Sequence, residues 1–300
     1  MSTPEAPKPV RGLRHRPDAG VNVSQAFVHL VLILMALVWV LPTLGLLVSS
    51  VRTPGDVATT GWWTVFQNPF AFTQFTLANY SQVLGGSGMA RGFFNSFAIA
   101  VPATLLPMFI GAFAAFAFAW LDFPGRRTLF LVVVGLLVVP LQVSLIPILR
   151  IYSSAGIAGS FLAIWLAHTA YGLPFAVYLL RNFFASLPGE LFEAAYIDGA
   201  SPVTAFLRLA IPMSGPALAS LGIFQFLWVW NDLLVALIYL GGSSNVAPLT
   251  LVLSSLVGSY GQQWHVLTAA AFVTMVVPLA VFFSLQRYFV RGILAGSVKG

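Results

Sequence analysis

Long apolar runs separated by short polar segments dominate this chain. In six stretches no Asp, Glu, Lys or Arg occurs at all. About 20 apolar residues in a helix cross the hydrocarbon core of a bilayer, and each of the six stretches exceeds that length. We therefore predict six transmembrane helices, at about 27–50, 93–120, 128–149, 161–181, 214–240 and 266–289.

The composition places the chain in the same class. Its 300 residues include 14 Lys and Arg, 8 Asp and Glu and no Cys. A soluble protein carries about 25% charged residues, and the 7% found here is too little to cover a water-soluble surface. The predicted fold class is therefore an all-α polytopic membrane protein. The lack of cysteine excludes disulfides, thiolate metal sites and cysteine nucleophiles.

The positions of Lys and Arg predict an orientation. If the N-terminus is cytoplasmic, eleven of the fourteen lie in cytoplasmic segments, and Arg52, Arg91 and Arg150 lie outside. Cytoplasmic loops are enriched in positive charge, so we expect both the N and C termini to be cytoplasmic. Residues 1–26 are expected to form a disordered basic tail. The apolar run behind it exceeds a signal-peptide core of about 7–15 residues, so a retained helix is expected.

Prolines are frequent in or at the edges of the predicted spans. Packed neighbours can satisfy the carbonyl groups that a proline leaves unpaired in a membrane helix. We favour kinks that help the helices pack over gating hinges. The residues concerned are Pro42, Pro102, Pro107, Pro140, Pro147, Pro174, Pro216 and Pro278.

The second cytoplasmic connection, residues 182–213, holds three of the eight acidic residues. Pro188 suits the first turn of a helix that runs to about Asp198, and Gly199 suits the left-handed position that ends it. Ser201 and Pro202 begin a second helix as N-cap and first residue. This spacing predicts a short helix–turn–helix.

The second of these helices has one apolar face at helical spacing. An interfacial helix resting on lipid headgroups is one interpretation, but such helices carry several flanking Lys or Arg and only Arg208 is available here. A surface that docks another protein is therefore favoured. The apolar positions are Val203, Phe206, Leu207 and Ala210.

The same connection carries a recognisable motif. Glu193-Ala194-Ala195 is followed after three residues by Gly199, and after nine more by residues 209–212, Leu-Ala-Ile-Pro. This resembles the EAA signature of ABC-importer permeases, with Leu and Ile exchanged at two positions. Residues 76–80, 226–232 and 286–292 are similar to the maltose-type carbohydrate branch. The resemblance covers about 27–300.

That resemblance implies a type I ABC importer permease of a prokaryotic cell membrane, similar to the maltose-system "G" type. Members pair two homologous permeases with two ATP-binding cassette subunits and an extracytoplasmic solute-binding protein. The implied substrate is a carbohydrate, an oligosaccharide and specifically an α-glucoside, and no cofactor is implied. The connection would then be the coupling helix on the ATPase, with Glu193 as polar anchor and Gly199 as the turn. The implied coupling residues are Glu193, Ala194, Ala195, Asp198, Gly199, Phe206, Leu207 and Pro212.

One acidic residue, Asp232, lies within a predicted span, preceded by Asn231 and close to Trp228. An intramembrane carboxylate is by default a functional candidate, whereas a carboxylate in an aromatic belt at the membrane surface is the other interpretation. Trp228, Asn231 and Asp232 are therefore candidates for the substrate pathway. Other polar residues in the spans are more typical of helix–helix contacts: Gln142, Ser144, His168, Asn182 and Gln225.

The last external loop, about 241–265, is uncharged and rich in Gly and Ser. In the family such a loop is thought to reach the binding protein, so Tyr260, Gln262 and Trp264 are the expected contacts.

Other function classes fit less well. The chain has no phosphate-binding loop, catalytic set or metal-ligand cluster, so ATP hydrolysis is expected on a separate subunit. No nucleic-acid partner is expected, because the net charge of +6 reflects membrane orientation. The alternative is a secondary transporter of neutral solutes. Such a protein needs an inverted repeat and membrane acids for ion coupling, and one acid does not favour it.

Overall fold

The computed structural model describes residues 23–86, 88–259 and 263–297. Within them the chain is almost entirely helical, and its extended pairing is one isolated antiparallel bridge between Arg52 and Phe75. The α-helices are α1 (Val23–Ser50), α2 (Pro54–Thr59), α3 (Ala78–Gly86), α4 (Met89–Trp120), α5 (Arg126–Gly135), α6 (Leu141–Ser154), α7 (Phe161–Phe184), α8 (Gly189–Ile197), α9 (Pro202–Ala205), α10 (Ile211–Met213), α11 (Gly215–Trp230), α12 (Leu234–Leu240), α13 (Leu249–Ser259) and α14 (Trp264–Ser297).

The chain divides into two compact units, Met1–Gly45 and Leu46–Gly300. The described part of the first unit is the apolar helix α1, whose side chains there are nearly all exposed. In the second unit, α4 packs most extensively against α7, and α11 packs on both α4 and α14.

Four helices in the described residues are long and apolar enough to cross a membrane alone, namely α1, α4, α7 and α14. Two further pairs of consecutive helices, each bent at a short break, are long and apolar enough to cross a membrane if the two helices are taken together. The described chain therefore holds four spans, or six if each bent pair is one span. Arg126–Val138 meets Leu141–Ser154 at 100°, and Pro202–Met213 meets Gly215–Trp230 at 76°.

The structure differs from the sequence prediction at two of the spans. The run at about 128–149 breaks before Leu141, because Pro140 has no N–H to continue the helical ladder. The run at about 214–240 is interrupted after Trp230, and α12 begins at Leu234. The sequence marks both places, with Pro140 at the first and Asn231 and Asp232 at the second, but the apolar residues on either side make one continuous span the expectation.

In the second unit, side chains from neighbouring helices form hydrogen bonds with the carbonyl groups that prolines leave unpaired. Pro102 leaves the carbonyl group of Ala98 without its partner four residues on. The indole Nε1 of Trp165, on α7, donates to that carbonyl at 2.8 Å. The kink in α4 is therefore bonded to α7, as the packing interpretation of the prolines requires.

The carbonyl group left unpaired by the next proline of α4 also has a side-chain donor from another helix. Pro107 frees the carbonyl group of Ala103, and Nε2 of Gln225, on α11, donates to it at 3.2 Å. Gln225 is buried, and it lies so close to Gly172 on α7 that a Cβ there would meet it at 2.5 Å. One amide thus joins three helices, which confirms Gln225 as a helix–helix contact.

The segment after α1 is organised by a buried arginine. Arg52 is 3% exposed, and its guanidinium donates to the carbonyl of Gly61 and to the hydroxyls of Thr60 and Thr64. The backbone carbonyl of Arg52 accepts from Nδ2 of Asn79 at 2.8 Å. This segment is therefore held by internal polar bonds, while most of its aromatic side chains remain exposed.

Candidate functional site

The first candidate is the EAA segment, residues 189–213. Helix α8 ends in a Schellman turn, because Ala200 N donates to Ala195 O at 2.9 Å and Gly199 N donates to Tyr196 O at 3.1 Å. Gly199 has a φ of +83°, in the left-handed region that glycine adopts without strain. The turn predicted at Gly199 is confirmed.

The second half of the EAA segment also begins as the sequence predicts. The Ser201 hydroxyl accepts from Thr204 N at 3.2 Å, and Pro202 is the first residue of α9. Beyond it the backbone forms a π-helical turn, Phe206–Ala210, which widens the repeat from four to five residues.

The four residues of the predicted apolar face differ in burial. Phe206 is 3% exposed and Ala210 is fully buried, whereas Val203 and Leu207 remain exposed. The four residues therefore do not form one exposed face. Phe206 belongs to the chain's own core, and its coupling role stays a prediction.

Aromatic rings anchor the EAA segment to the ends of α4 and α7. Phe192, from α8, stacks on Trp120 with ring centroids 4.0 Å apart. Phe206 lies 5.2 Å from Phe116. The indole Nε1 of Trp120 donates to the terminal carbonyl of α7, Phe184 O, at 3.1 Å. A movement of the segment would therefore be transmitted to both long helices.

The rest of the EAA segment is exposed and mixes apolar with polar and charged side chains. Ile197, beside the glycine turn, is 86% exposed. The other exposed residues of the segment are Glu190, Leu191, Glu193, Ala194, Tyr196, Asp198, Gly199, Ser201, Pro202, Val203, Leu207, Arg208 and Pro212, with Ala195 half-buried.

The second candidate is the break between α11 and α12. The carboxylate of Asp232 accepts from Val235 N at 3.2 Å and from Ala236 N at 2.9 Å, so it caps the first turn of α12 from one residue before the N-cap position, Leu233. Its backbone carbonyl accepts from the Thr250 hydroxyl at 2.7 Å. Asn231 donates to Leu227 O at 2.7 Å and completes the end of α11.

Behind this break lies a buried histidine. His168 of α7 is 0% exposed, and its Nε2 lies 3.6 Å from Oδ2 of Asp232. The ring of Trp228 stands edge-on to His168, with centroids 5.2 Å apart. Trp228, His168 and Asp232 thus form one cluster that holds the broken helix against α7.

A cavity of about 720 Å³ opens in front of this cluster. Trp228 and Asp232 line it, but Asn231 does not. Gln142, Ser144 and Tyr171 line the same cavity. For Gln142 and Ser144 the sequence favours helix–helix contacts over a place in the pathway, and for Tyr171 a single tyrosine in an apolar run gives no signal of its own.

The predicted binding-protein contacts are only partly visible. Tyr260 and Gln262 lie outside the described residues. Trp264 is the first residue of α14 and is 60% exposed.

Several helices are apolar enough to cross a membrane, and they surround a mainly apolar cavity with a few polar residues in its wall, which fits an integral-membrane protein. Residues 108–295 match the family described as "binding-protein-dependent transport system inner membrane component". The chain belongs to this family, which consists of ABC transporter permease subunits. The predicted family is confirmed, and the apolar helices fit its multi-pass membrane character.

Two curated relatives match over nearly the whole chain. The osmoprotective compounds uptake permease protein GgtD of Synechocystis sp. is 61% identical, over 91% of this chain and 91% of the relative. The alpha-glucoside transport system permease protein AglG of Rhizobium meliloti is 42% identical, over 91% of this chain and 97% of the relative.

A solved structure shares the fold. It is that of a bacterial ABC transporter involved in the import of the acidic polysaccharide alginate, with a TM-score of 0.74 and 18% identity, over 90% of this chain and 99% of that chain. At this identity the likeness concerns the fold, and it confirms an ABC-importer permease fold.

Proposed function

We propose that this chain is one of two permease subunits of an ATP-driven importer of neutral carbohydrates, with an oligosaccharide or α-glucoside as substrate. Its partners would be a second, homologous permease, two ATP-binding cassette subunits and an extracytoplasmic solute-binding protein. ATP hydrolysis would take place on the separate cassette subunits. The observation that carries the proposal is the rigidly capped EAA segment with its exposed apolar side chains.

The EAA segment would dock on the ATPase. Ile197, Val203 and Leu207 expose apolar surface that would be buried in a groove of the partner, with Glu193 at its polar edge. Exposed apolar groups on a short, capped segment are typical of a protein interface. The aromatic contacts of Phe192 and Phe206 would then pass the ATPase motion to α4 and α7.

The proposed arrangement in the membrane has six spans with both termini in the cytoplasm. Each bent helix pair would then count as one crossing. The distribution of Lys and Arg supports this orientation, because it places the EAA segment and the basic residues 1–26 on the ATPase side. Tyr260, Gln262 and Trp264 would lie outside, where a binding protein can reach them.

The substrate class is supported by the relatives and by the cavity. One relative is a permease for alpha-glucosides, and two others serve arabinooligosaccharides and diacetylchitobiose. No Lys or Arg lines the cavity of about 720 Å³ in the described chain, which disfavours acidic sugars. Trp228 and Asp232 of the predicted pathway residues remain part of this proposal, while Asn231 would act through the helix end that it caps.

Purification tests this proposal. The chain, expressed together with a homologous permease, an ATP-binding cassette subunit and a solute-binding protein of the same organism, is expected to co-purify with an ATPase. The ATPase activity is expected to rise when the solute-loaded binding protein is added to the complex in lipid nanodiscs. Purification without an ATPase, or solute movement driven by an ion gradient alone, would contradict the proposal and favour a secondary transporter.

A further inference from the structure

The cavity in front of Trp228 lies where two helices break. One wall is the bend between α5 and α6, which brings Gln142 and Ser144 to the surface of the cavity. The opposite wall is the break between α11 and α12, which brings Asp232 there. Broken helices in transporters expose polar groups at substrate sites. Its volume of about 720 Å³ is within the range of about 300–1,000 Å³ typical of ligand sites.

A chain of hydrogen-bonded hydroxyl groups determines whether the Tyr171 hydroxyl can donate or accept a hydrogen bond toward the cavity. The Ser144 hydroxyl donates its only hydrogen to Leu141 O at 2.7 Å, so the Tyr171 hydroxyl, 3.0 Å away, must donate to Ser144. The Tyr239 hydroxyl, 2.8 Å from that of Tyr171, then donates to Tyr171. Tyr171 keeps one free lone pair and has no free hydrogen. Toward the cavity it acts as an acceptor.

The other polar groups of the cavity are mainly acceptors as well. The carboxylate of Asp232 binds two backbone N–H groups of α12 and retains lone pairs. Gln142 adds an amide that can both donate and accept. A set dominated by acceptors binds ligands with many O–H donors, and a carboxylate repels anions. The chemistry therefore fits a neutral polyhydroxyl compound.

Aromatic residues form part of the cavity wall, and the cavity adjoins a second, smaller one. Trp228 and Tyr171 line both this cavity and a second one of about 330 Å³. The second cavity has Phe175 and Phe224 in its wall, and both residues lie nearer than Tyr171 and Trp228 to the EAA-segment ends of α7 and α11. Together the two cavities form a groove with a polar end and an aromatic end.

We propose that Trp228, Tyr171 and Gln142 form a sugar-ring subsite within this subunit. The indole of Trp228 packs on the ring, Tyr171 and Asp232 accept its hydroxyl hydrogens, and Gln142 binds a further hydroxyl. This subsite deepens the proposed function and rests on it. It gives this chain a direct part in selecting neutral sugars, in addition to the selection made by the binding protein.

The test uses the complete transporter in proteoliposomes, with radiolabelled maltose as the probe. The variants Trp228→Leu, Gln142→Ala and Tyr171→Phe are each expected to raise the KM for maltose uptake about tenfold, because each removes one contact with the sugar. Trp228→Tyr is expected to restore most of the affinity, since its ring can still stack. Val143→Ala, next to Gln142 but exposed outside the cavity, is the matched control and is expected to leave the KM unchanged.

A second readout separates the subsite from the transport machinery. ATPase activity stimulated by the maltose-loaded binding protein is expected to stay close to wild type in the three variants, since binding to the ATPase and to the binding protein is intact. Wild-type KM values in all three variants would overturn the subsite alone. If the wild-type complex imports neither maltose nor any other neutral oligosaccharide with ATP, and its ATPase is not stimulated by the loaded binding protein, the proposed function fails and the subsite fails with it.

Discussion

The indole Nε1 of Trp230 donates a hydrogen bond of 3.1 Å to the carbonyl oxygen of Thr274. Pro278, four residues further along α14, has no N–H to bind that carbonyl. The bond therefore joins the end of α11 to the kink of α14. It repeats the arrangement by which Trp165 closes the kink at Pro102. These prolines thus serve helix packing in the described chain.

The change Trp230→Phe removes the donor and leaves the partly buried carbonyl group of Thr274 without this partner. We expect a loss of about 1–3 kcal/mol in the free energy of unfolding, measured by denaturant titration of the purified chain in detergent. Pro278→Ala restores an N–H for that carbonyl, so Trp230→Phe is expected to cost less in this background. An equal cost in both backgrounds would show that only packing is lost.

Close packing of α7 on α11 gives a second prediction. A Cβ on Gly172 would lie 2.5 Å from Nε2 of Gln225, which is held in place by Ala103 O. Gly172→Ala is therefore expected to cost about 1–3 kcal/mol through overpacking. At Gly222 the nearest atom would be Sδ of Met108 at 3.4 Å, so Gly222→Ala is expected to be neutral or stabilising. Equal unfolding midpoints for the two variants would contradict this account.

Arg52, the buried arginine after α1, gives a third prediction. Arg52→Lys keeps the charge but replaces a planar fork with a single ammonium group, which cannot reach three separate acceptors. We expect faster hydrogen exchange in residues 54–67, with a loss of about 1–2 kcal/mol of local stability. Arg91→Lys is the control, because Arg91 is exposed and its side chain, within the described part of the chain, donates to the side-chain oxygen of Asn245 at 3.1 Å. Unchanged exchange in the Arg52 variant would refute the role assigned to it.

The turn at Gly199 in the EAA segment gives a fourth prediction. A Cβ at Gly199 would meet no described atom within 4 Å, so Gly199→Ala costs only backbone strain, about 1–2 kcal/mol at a positive φ. We expect normal assembly with the ATPase but reduced ATPase stimulation by the loaded binding protein. Gly189→Ala is the control, since Gly189 has no positive φ. Full stimulation in the Gly199 variant would show that the turn geometry does not matter.

Local chemistry explains which features the sequence could predict. The turn at Gly199 and the cap at Ser201 depend on residues within a few positions of each other, so the pattern of Gly, Ser and Pro is sufficient. The long helices follow from uninterrupted apolar sequence. The break after Trp230 is different, because a single polar pair, Asn231 and Asp232, in an otherwise apolar run does not show whether the helix ends there, and the capping role of Asp232 becomes visible only in the folded chain.

The cavity could not be predicted for a related reason. Tyr171 and Tyr239 are 68 residues apart in the chain, and nothing in either neighbourhood indicates that their hydroxyls meet. The π-helical turn at Phe206–Ala210 is likewise invisible to a pattern of period 3.6, and the same holds for the packing of Phe206 in the chain's own core. Non-local packing decides both features.

The central claim is that ATP hydrolysis on a partner drives solute import through the EAA segment of this chain. Glu193→Lys reverses a charge on the exposed side of α8 without touching the buried anchor Phe192, and Glu190→Lys is a matched control on the same helix. The most direct measurement is ATP-dependent uptake of radiolabelled maltose by proteoliposomes that hold the complete complex and its binding protein. We predict uptake by the wild-type complex and by Glu190→Lys, and background uptake by Glu193→Lys despite normal insertion. Wild-type uptake by Glu193→Lys, or uptake without ATP, would contradict the claim.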